Sequence, residues 1–176
     1  MKFFYGKFIL EKNGYKVHRF ISPHLVDINE RIELAGKPIN DKYLKELINE
    51  CKSISEKNKV KVSYFEGITS IAFLAFSRIP ADVLILEVGM GGTWDATNVV
   101  EQTLASIITP ISLDHMHFLG NTTEEIAKEK AGIFKKNCPA IISKQENSVY
   151  DILIENAKSK NCPIFQYDKE WKIEDS

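Results

Sequence analysis

An excess of charge of either sign is what this 176-residue chain most plainly lacks. Its 23 lysines and arginines face 24 aspartates and glutamates, a formal net charge of -1 at pH 7. With no cationic surplus to neutralise phosphates, nucleic acid is not expected as a main partner. Cysteine is scarce: Cys51, Cys138 and Cys162 are far apart and form no C-x-x-C pair. That pattern suggests neither a zinc site nor a disulfide framework, and it fits a reducing cytoplasm. Long apolar runs are missing too. Gly67 to Phe76 is too short to span a bilayer. The apolar start is interrupted by Lys2 and Lys7 and no small-residue cleavage site follows, so it does not read as a signal peptide. No membrane partner is expected. Internal repeats and low-complexity segments are absent.

What is present is an ordinary globular composition, 44% hydrophobic and 27% charged, of a length that suggests one domain or most of one. An opening helix through Phe8 and Leu10 closes at Gly14. A strand over residues 16–21 ends at Ser22-Pro23-His24-Leu25, where Pro23 forbids helix and biases Ser22 to an extended shape. Residues 28–38 read as an irregular or hairpin segment. Asn40 then caps a helix whose apolar stripe is Leu44, Leu47, Ile48, Cys51 and Ile54, which makes Cys51 a core residue. Ser63 opens a second helix that buries Ile68, Ile71, Ala72, Leu74 and Ala75 and ends by Pro80. Strands are expected at 83–87, 104–109, 140–143 and 163–167. Helices are expected from the Thr122/Glu125 capping box towards Gly132 and over 149–160. The βαβα alternation implies an α/β fold: a mostly parallel, doubly wound sheet with helices on both faces.

The chain is organised around residues 83–98. Val83 to Leu86 is a near-continuous apolar run, as expected of a strand buried on both faces of a parallel sheet. Glu87 is its one charge. Gly89, Gly91 and Gly92 follow, so the backbone can turn tightly or approach a ligand closely. An unpaired buried carboxylate is costly, and a metal ion is one partner for Glu87; a Lys or Arg, or a strand that ends one residue early and leaves Glu87 hydrated, is the alternative. Ser22 with His24, Glu87 with Asp95, and Asp114 with His115 stand after three different strands. In an open α/β sheet ligands bind beyond the carboxyl ends of strands, so together these groups suggest a metal or phosphate site. His115 alone also reads as a structural histidine, Lys130 as an exposed helix lysine, and Phe65 as helix core.

Ser22-Pro23-His24-Leu25 with Asn29-Glu30-Arg31, Tyr64-Phe65-Glu66, Leu86-Glu87-Val88-Gly89-Met90-Gly91-Gly92 with Asp95-Ala96-Thr97-Asn98, Leu113-Asp114-His115 with Phe118-Leu119-Gly120, and Glu129-Lys130-Ala131-Gly132-Ile133 occur in this order. In that order and spacing they resemble the folylpolyglutamate synthase/dihydrofolate synthase family, within the Mur ligase superfamily. The resemblance implies ATP-dependent ligation of glutamate to a folate or dihydropteroate carboxylate through an acyl phosphate. Carried over residue by residue, Ser22, Glu87 and His115 would ligate magnesium. Hard cations prefer oxygen, so the histidine rests on the resemblance alone. Lys130 stands where the family has a carbamylated lysine, whose carbamate supplies the oxygens an ammonium lacks. Lys130, His115 and Glu87 would form the catalytic set. Ser63, Tyr64, Phe65 and Glu66, with Trp94, Asp95 and Ala96, would line the pteridine side, where an aromatic ring can stack on the heterocycle.

The resemblance has gaps. No G-x-x-x-x-G-K-[ST] phosphate loop occurs in residues 1–176, nor does the strand that should precede it, and Thr93 stands where the family usually has arginine. The expectation is therefore of a truncated ATP- and folate-binding domain without its phosphate loop and C-terminal ligase domain. Whether this chain is an enzyme by itself stays open. A non-catalytic remnant, or one half of a split enzyme completed by a separately encoded fragment, is the alternative.

Overall fold

The computed structural model describes residues 2–173. The chain divides after Gly89 into two compact units. In the first, helix α1 (Lys2–Lys12) ends as expected at Gly14, which takes φ +89°, while the Tyr15 amide turns back to the Leu10 carbonyl at 3.1 Å. Strand β1 (Val17–Phe20) is wholly buried. A 3-10 turn (Ile28–Arg31) leads into β2 (Ile32–Leu34) and the two-residue β3 (Lys37–Pro38). Helices α2 (Asp41–Asn58) and α3 (Tyr64–Arg78) then precede β4 (Val83–Leu86). Strand order is β3-β2-β1-β4. β1 and β4 run parallel, from Val17 opposite Val83 to Phe20 opposite Leu86, whereas β2 is antiparallel to both β1 and β3. The hairpin expected over 28–38 is the β2–β3 pair.

Side-chain caps set the helix starts. Asn40 Oδ1 accepts from the Tyr43 amide at 2.9 Å. Ser63 and Glu66 form a reciprocal capping box at the head of α3. The core gathers Phe20, Ile32, Leu47, Ile68, Ala72 and Ala75; each fully buried large aliphatic contributes about 1.5–3 kcal/mol of transfer free energy. Two details of the sequence reading change. Ile48 and Ile54 are 39% and 53% exposed, because α2 meets the core along Leu44, Leu47 and Cys51 and its last turns run past it. All four residues of β4 are half-buried rather than enclosed on both faces.

A buried ionic knot ties this unit together. Glu33 Oε1 lies 2.6 Å from Arg19 Nη2 and Glu33 Oε2 2.7 Å from Lys7 Nζ, with all three side chains at most 12% exposed. Arg19 and Glu33 are direct cross-strand neighbours, the geometry in which opposite charges attract best in a sheet.

The second unit holds a 3-10 turn (Ala96–Val99), β5 (Ser106–Ile108), a one-turn helix α4 (Met116–Leu119) and α5 (Thr123–Lys130), which tightens into a 3-10 turn (Ala131–Ile133). Strand β6 (Ala140–Ile142), helix α6 (Asn147–Ser159) and β7 (Ile164–Gln166) complete it. β5, β6 and β7 are all parallel. Their helices bury Ala127, Ala131, Phe134, Val149, Leu153 and Ala157. Helix α4 was not expected from the sequence. The capping box expected at Thr122 is only half formed. Thr122 Oγ1 accepts from the Glu125 amide at 3.2 Å, but the Glu125 carboxylate takes the Asn121 amide at 2.6 Å instead. No helix among the described residues is long and apolar enough to cross a membrane.

Candidate functional site

Because β1 and β4 run parallel and in register, their carboxyl ends lie side by side. Ser22 and Glu87 therefore meet: the Ser22 amide donates to Glu87 Oε2 at 2.9 Å. Glu87 is half-buried. Its structural partner is a main-chain amide, and β4 ends one residue earlier, at Leu86, which leaves the half-buried Glu87 open to solvent as the hydration alternative has it. A carboxylate held this way, next to a serine, is an all-oxygen donor pair suited to a hard divalent cation. These two residues fit magnesium.

The segment after Ser22 is built around Glu30. Its carboxylate accepts from the amides of Leu25, Val26 and Asp27 at 2.8, 3.1 and 2.9 Å. The Asp27 amide first, then that of Leu25, holds the Glu30 carboxyl below its usual 4.5. Asp27 in return caps the 3-10 turn, completing a capping box. The Asp27/Glu30 spacing is the sequence signal for this box. Arg31 Nε donates to His24 Nδ1 at 2.8 Å, and its guanidinium lies 5.8 Å from the centre of the Tyr64 ring.

Of the residues expected on the pteridine side, four cluster at the head of α3. Ser63 and Glu66 are occupied in capping; the Glu66 carboxylate accepts from the Ser63 amide at 2.7 Å, which lowers its pKa. Tyr64 is 63% exposed, its ring open for stacking. Phe65 is half-buried, 6.0 Å from the Phe20 ring, and a Cβ on Gly89 would collide with it. Phe65 thus borders the core, as the simpler reading held, while covering Gly89.

In the second unit the glycine loop is strapped to the end of α5. Thr93 N donates to Glu129 Oε1 at 3.0 Å, and Thr93 Oγ1 to the Glu129 carbonyl at 3.2 Å. Asn98 Nδ2 reaches the Thr93 carbonyl at 3.1 Å. A Cβ on Gly92 would come within 2.5 Å of the Glu129 carbonyl and 2.9 Å of that of Lys130. Only glycine permits this approach. Lys130, the last residue of α5, is half-buried against this crossing and not simply an exposed lysine. Asp95 caps the 96–99 turn: Oδ1 accepts from the Thr97 amide at 2.9 Å and Oδ2 from the Met90 amide at 3.0 Å. Ala96 is half-buried beside it, and Trp94 is 90% exposed.

His115 does not stand at a strand end. β5 stops at Ile108, and Asp114 and His115 follow on an exposed stretch where His115 takes φ +48°. Its amide donates to Asp114 Oδ1 at 2.8 Å. This exposed position does not support the reading of His115 as a packed structural histidine. Among the described residues no group of three or more His, Cys, Asp or Glu side chains gathers as a metal cluster. The expected magnesium set contains only two such side chains. The roles of Glu30, Arg31, Thr93 and Glu129 were not anticipated, although Glu30, Arg31 and Glu129 lay within recognised motifs.

Comparison with known proteins agrees with this architecture. Residues 39–175 match the family model for the Mur ligase middle domain. The chain is 40% identical over 167 residues to the dihydrofolate synthase/folylpolyglutamate synthase of Haemophilus influenzae, covering 94% of this chain and 37% of that protein. It superposes on Escherichia coli FolC in complex with DHPP and ADP with a TM-score of 0.87 at 35% identity, covering 96% of this chain and 39% of that one. An FPGS complex with AMPPCP and folate gives 0.89 at 29% identity, covering 95% and 42%. The chain spans about a third of the length of the curated relatives it matches. With most of its length inside that model, the chain belongs to the Mur ligase middle-domain family, alongside the folylpolyglutamate and dihydrofolate synthases.

Proposed function

We propose that residues 1–176 are the ATP- and folate-binding part of a ligase that couples glutamate to a folate or dihydropteroate carboxylate, in one-carbon metabolism in the cytoplasm. The observation that carries this is the juxtaposition of Ser22 and Glu87 at adjacent strand ends, in a chain whose relatives include solved complexes with ADP, AMPPCP, DHPP and folate. The substrate carboxylate attacks the terminal phosphoryl group of ATP, releasing ADP and forming an acyl phosphate. The amine of glutamate then displaces inorganic phosphate to leave an amide. Magnesium, when bound, would neutralise charge building on the transferring phosphoryl group.

Each residue has a task in that scheme. Glu87 and the Ser22 hydroxyl would offer oxygens to the cation, with His115 as the third ligand that the family resemblance implies. Lys130, once carbamylated, presents an anionic oxygen pair. Tyr64 and Phe65, with Trp94, stack on or enclose the pteridine; Ser63, Glu66, Asp95 and Ala96 hold the backbone around it. ATP, glutamate and the pterin compound are the partners, with no nucleic acid and no membrane.

A second reading is favoured by one specific observation: residues 1–176 contain no G-x-x-x-x-G-K-[ST]. Gripping the phosphates then falls to residues outside this stretch. ATP-dependent coupling of labelled glutamate to dihydropteroate and to tetrahydrofolate, with magnesium, separates the readings. Turnover abolished by Glu87→Ala establishes catalysis. A chain folded by circular dichroism that gives no product favours the second reading.

A further inference from the structure

Arg31 is only 7% exposed. Arginine is rarely so buried unless an anion accompanies it. Arg19, equally buried, has its carboxylate in Glu33 at 2.6 Å. Arg31 has a different environment. Its Nε donates to a histidine nitrogen, His24 Nδ1 at 2.8 Å, and its Cζ lies over the Tyr64 ring, 5.8 Å from the centre. Neither neighbour is an anion. Among the described residues no carboxylate stands within ion-pair distance of it. The adjacent Glu30 is turned away, its oxygens taken by the amides of Leu25, Val26 and Asp27.

The Nε edge is taken, so the donors left over are the two terminal nitrogens. That fork matches the two oxygens of a carboxylate. His24 fixes the roll of the guanidinium about its own axis, and the bond from Nε requires Nδ1 to be unprotonated, placing the imidazole proton on Nε2. Tyr64 offers an exposed aromatic face alongside. The anchored 25–30 loop makes the arrangement rigid before any ligand arrives, the condition under which an arginine fork binds with least loss of entropy.

We propose that Arg31, steered by His24 and flanked by Tyr64, is the binding site for a carboxylate borne by the substrate. The source is either the aryl carboxylate of a pteroate-class ligand or a carboxylate of glutamate. This rests on the proposed function for the identity of the ligand, but the anion site itself does not.

The test is calorimetric titration of the whole chain with four probes: pteroate, its carboxamide analogue, glutamate and inorganic phosphate. The expected result is pteroate binding that weakens at least tenfold when the carboxylate is replaced by carboxamide. Arg31→Lys should weaken pteroate to the same degree and leave the carboxamide unaffected. Arg31-dependent binding of glutamate with none of pteroate sustains the site, assigns it to the amino acid, and removes support from the folate reading. Equal binding of pteroate and carboxamide, unchanged by Arg31→Lys, overturns the inference while the folate reading stands. Phosphate binding as tight as pteroate overturns the carboxylate assignment. No binding of any probe overturns both. Should Arg31→Lys fail to fold, the carboxamide comparison on the unmodified chain decides.

Discussion

Replacing Gly92 by alanine adds one methyl group and should cost more stability than most single changes at the surface. The new Cβ would meet the Glu129 carbonyl at 2.5 Å, the Lys130 carbonyl at 2.9 Å and the Lys130 Cα at 3.0 Å. All three are main-chain atoms, so no side chain can swing aside; the loop and the end of α5 must separate. Overpacking of this kind costs about 3 kcal/mol at the upper end of its range. Alanine returns about 0.4–1 kcal/mol by narrowing the unfolded ensemble. The net loss is about 2 kcal/mol. At a urea slope of about 2 kcal/mol per molar, the unfolding midpoint falls by about 1 M. Gly67→Ala is the control. It lies inside α3, and its added Cβ meets nothing nearer than Val62 Cγ2 at 3.9 Å. Helix propensity alone then acts and stabilises by about 0.5–1 kcal/mol. The two glycine substitutions should therefore move the midpoint in opposite directions. A Gly92→Ala midpoint unchanged to within about 0.3 M would refute the close crossing of loop and helix.

Glu33→Ala should destabilise by about 3–5 kcal/mol in chemical denaturation, because it strips the shared carboxylate from the buried Arg19 and Lys7. Asp95→Ala removes the cap on Thr97 together with the tie to Met90; about 1–2 kcal/mol should be lost, with faster amide exchange at Met90 and Thr97. The carboxyl of Glu30 is lowered in the folded protein, so the stability it lends to residues 25–27 is fully present above its ordinary value of 4.5 and is lost as pH falls through the lowered folded value. Protection of the Leu25, Val26 and Asp27 amides should drop across that acid window, and Glu30→Gln should flatten the dependence.

Local signals with an unambiguous chemistry were legible in the sequence. The helix opening at Ser63, the Gly14 stop and the exclusion of helix at Pro23 are each decided by residues within a turn of one another. So was the mostly parallel arrangement, since helices connect most of the strands; β1 and β4 pair in this way. Legibility failed where distant backbone sets the geometry. Nothing in the neighbourhood of Thr93 announces that Glu129, 36 residues on, will take its amide. His115 read as a strand-end group because it follows the strand expected at 104–109, whereas β5 ends at Ile108 and an exposed irregular stretch separates it from His115, which immediately precedes helix α4. Glu30 was visible as part of a motif, but its use as a backbone anchor depends on the chain doubling back over residues 25–27.

Strand β3 is two residues long, Lys37 and Pro38, and it forms the outer margin of the first unit's sheet. A neighbouring polypeptide trying to extend the sheet there would find one amide donor missing at the proline and a lysine ammonium that resists being dried. The brevity of this strand is therefore a safeguard against self-templated growth: the hairpin ends the sheet on a margin that will not recruit another copy, at the concentrations where an open β edge would seed aggregation.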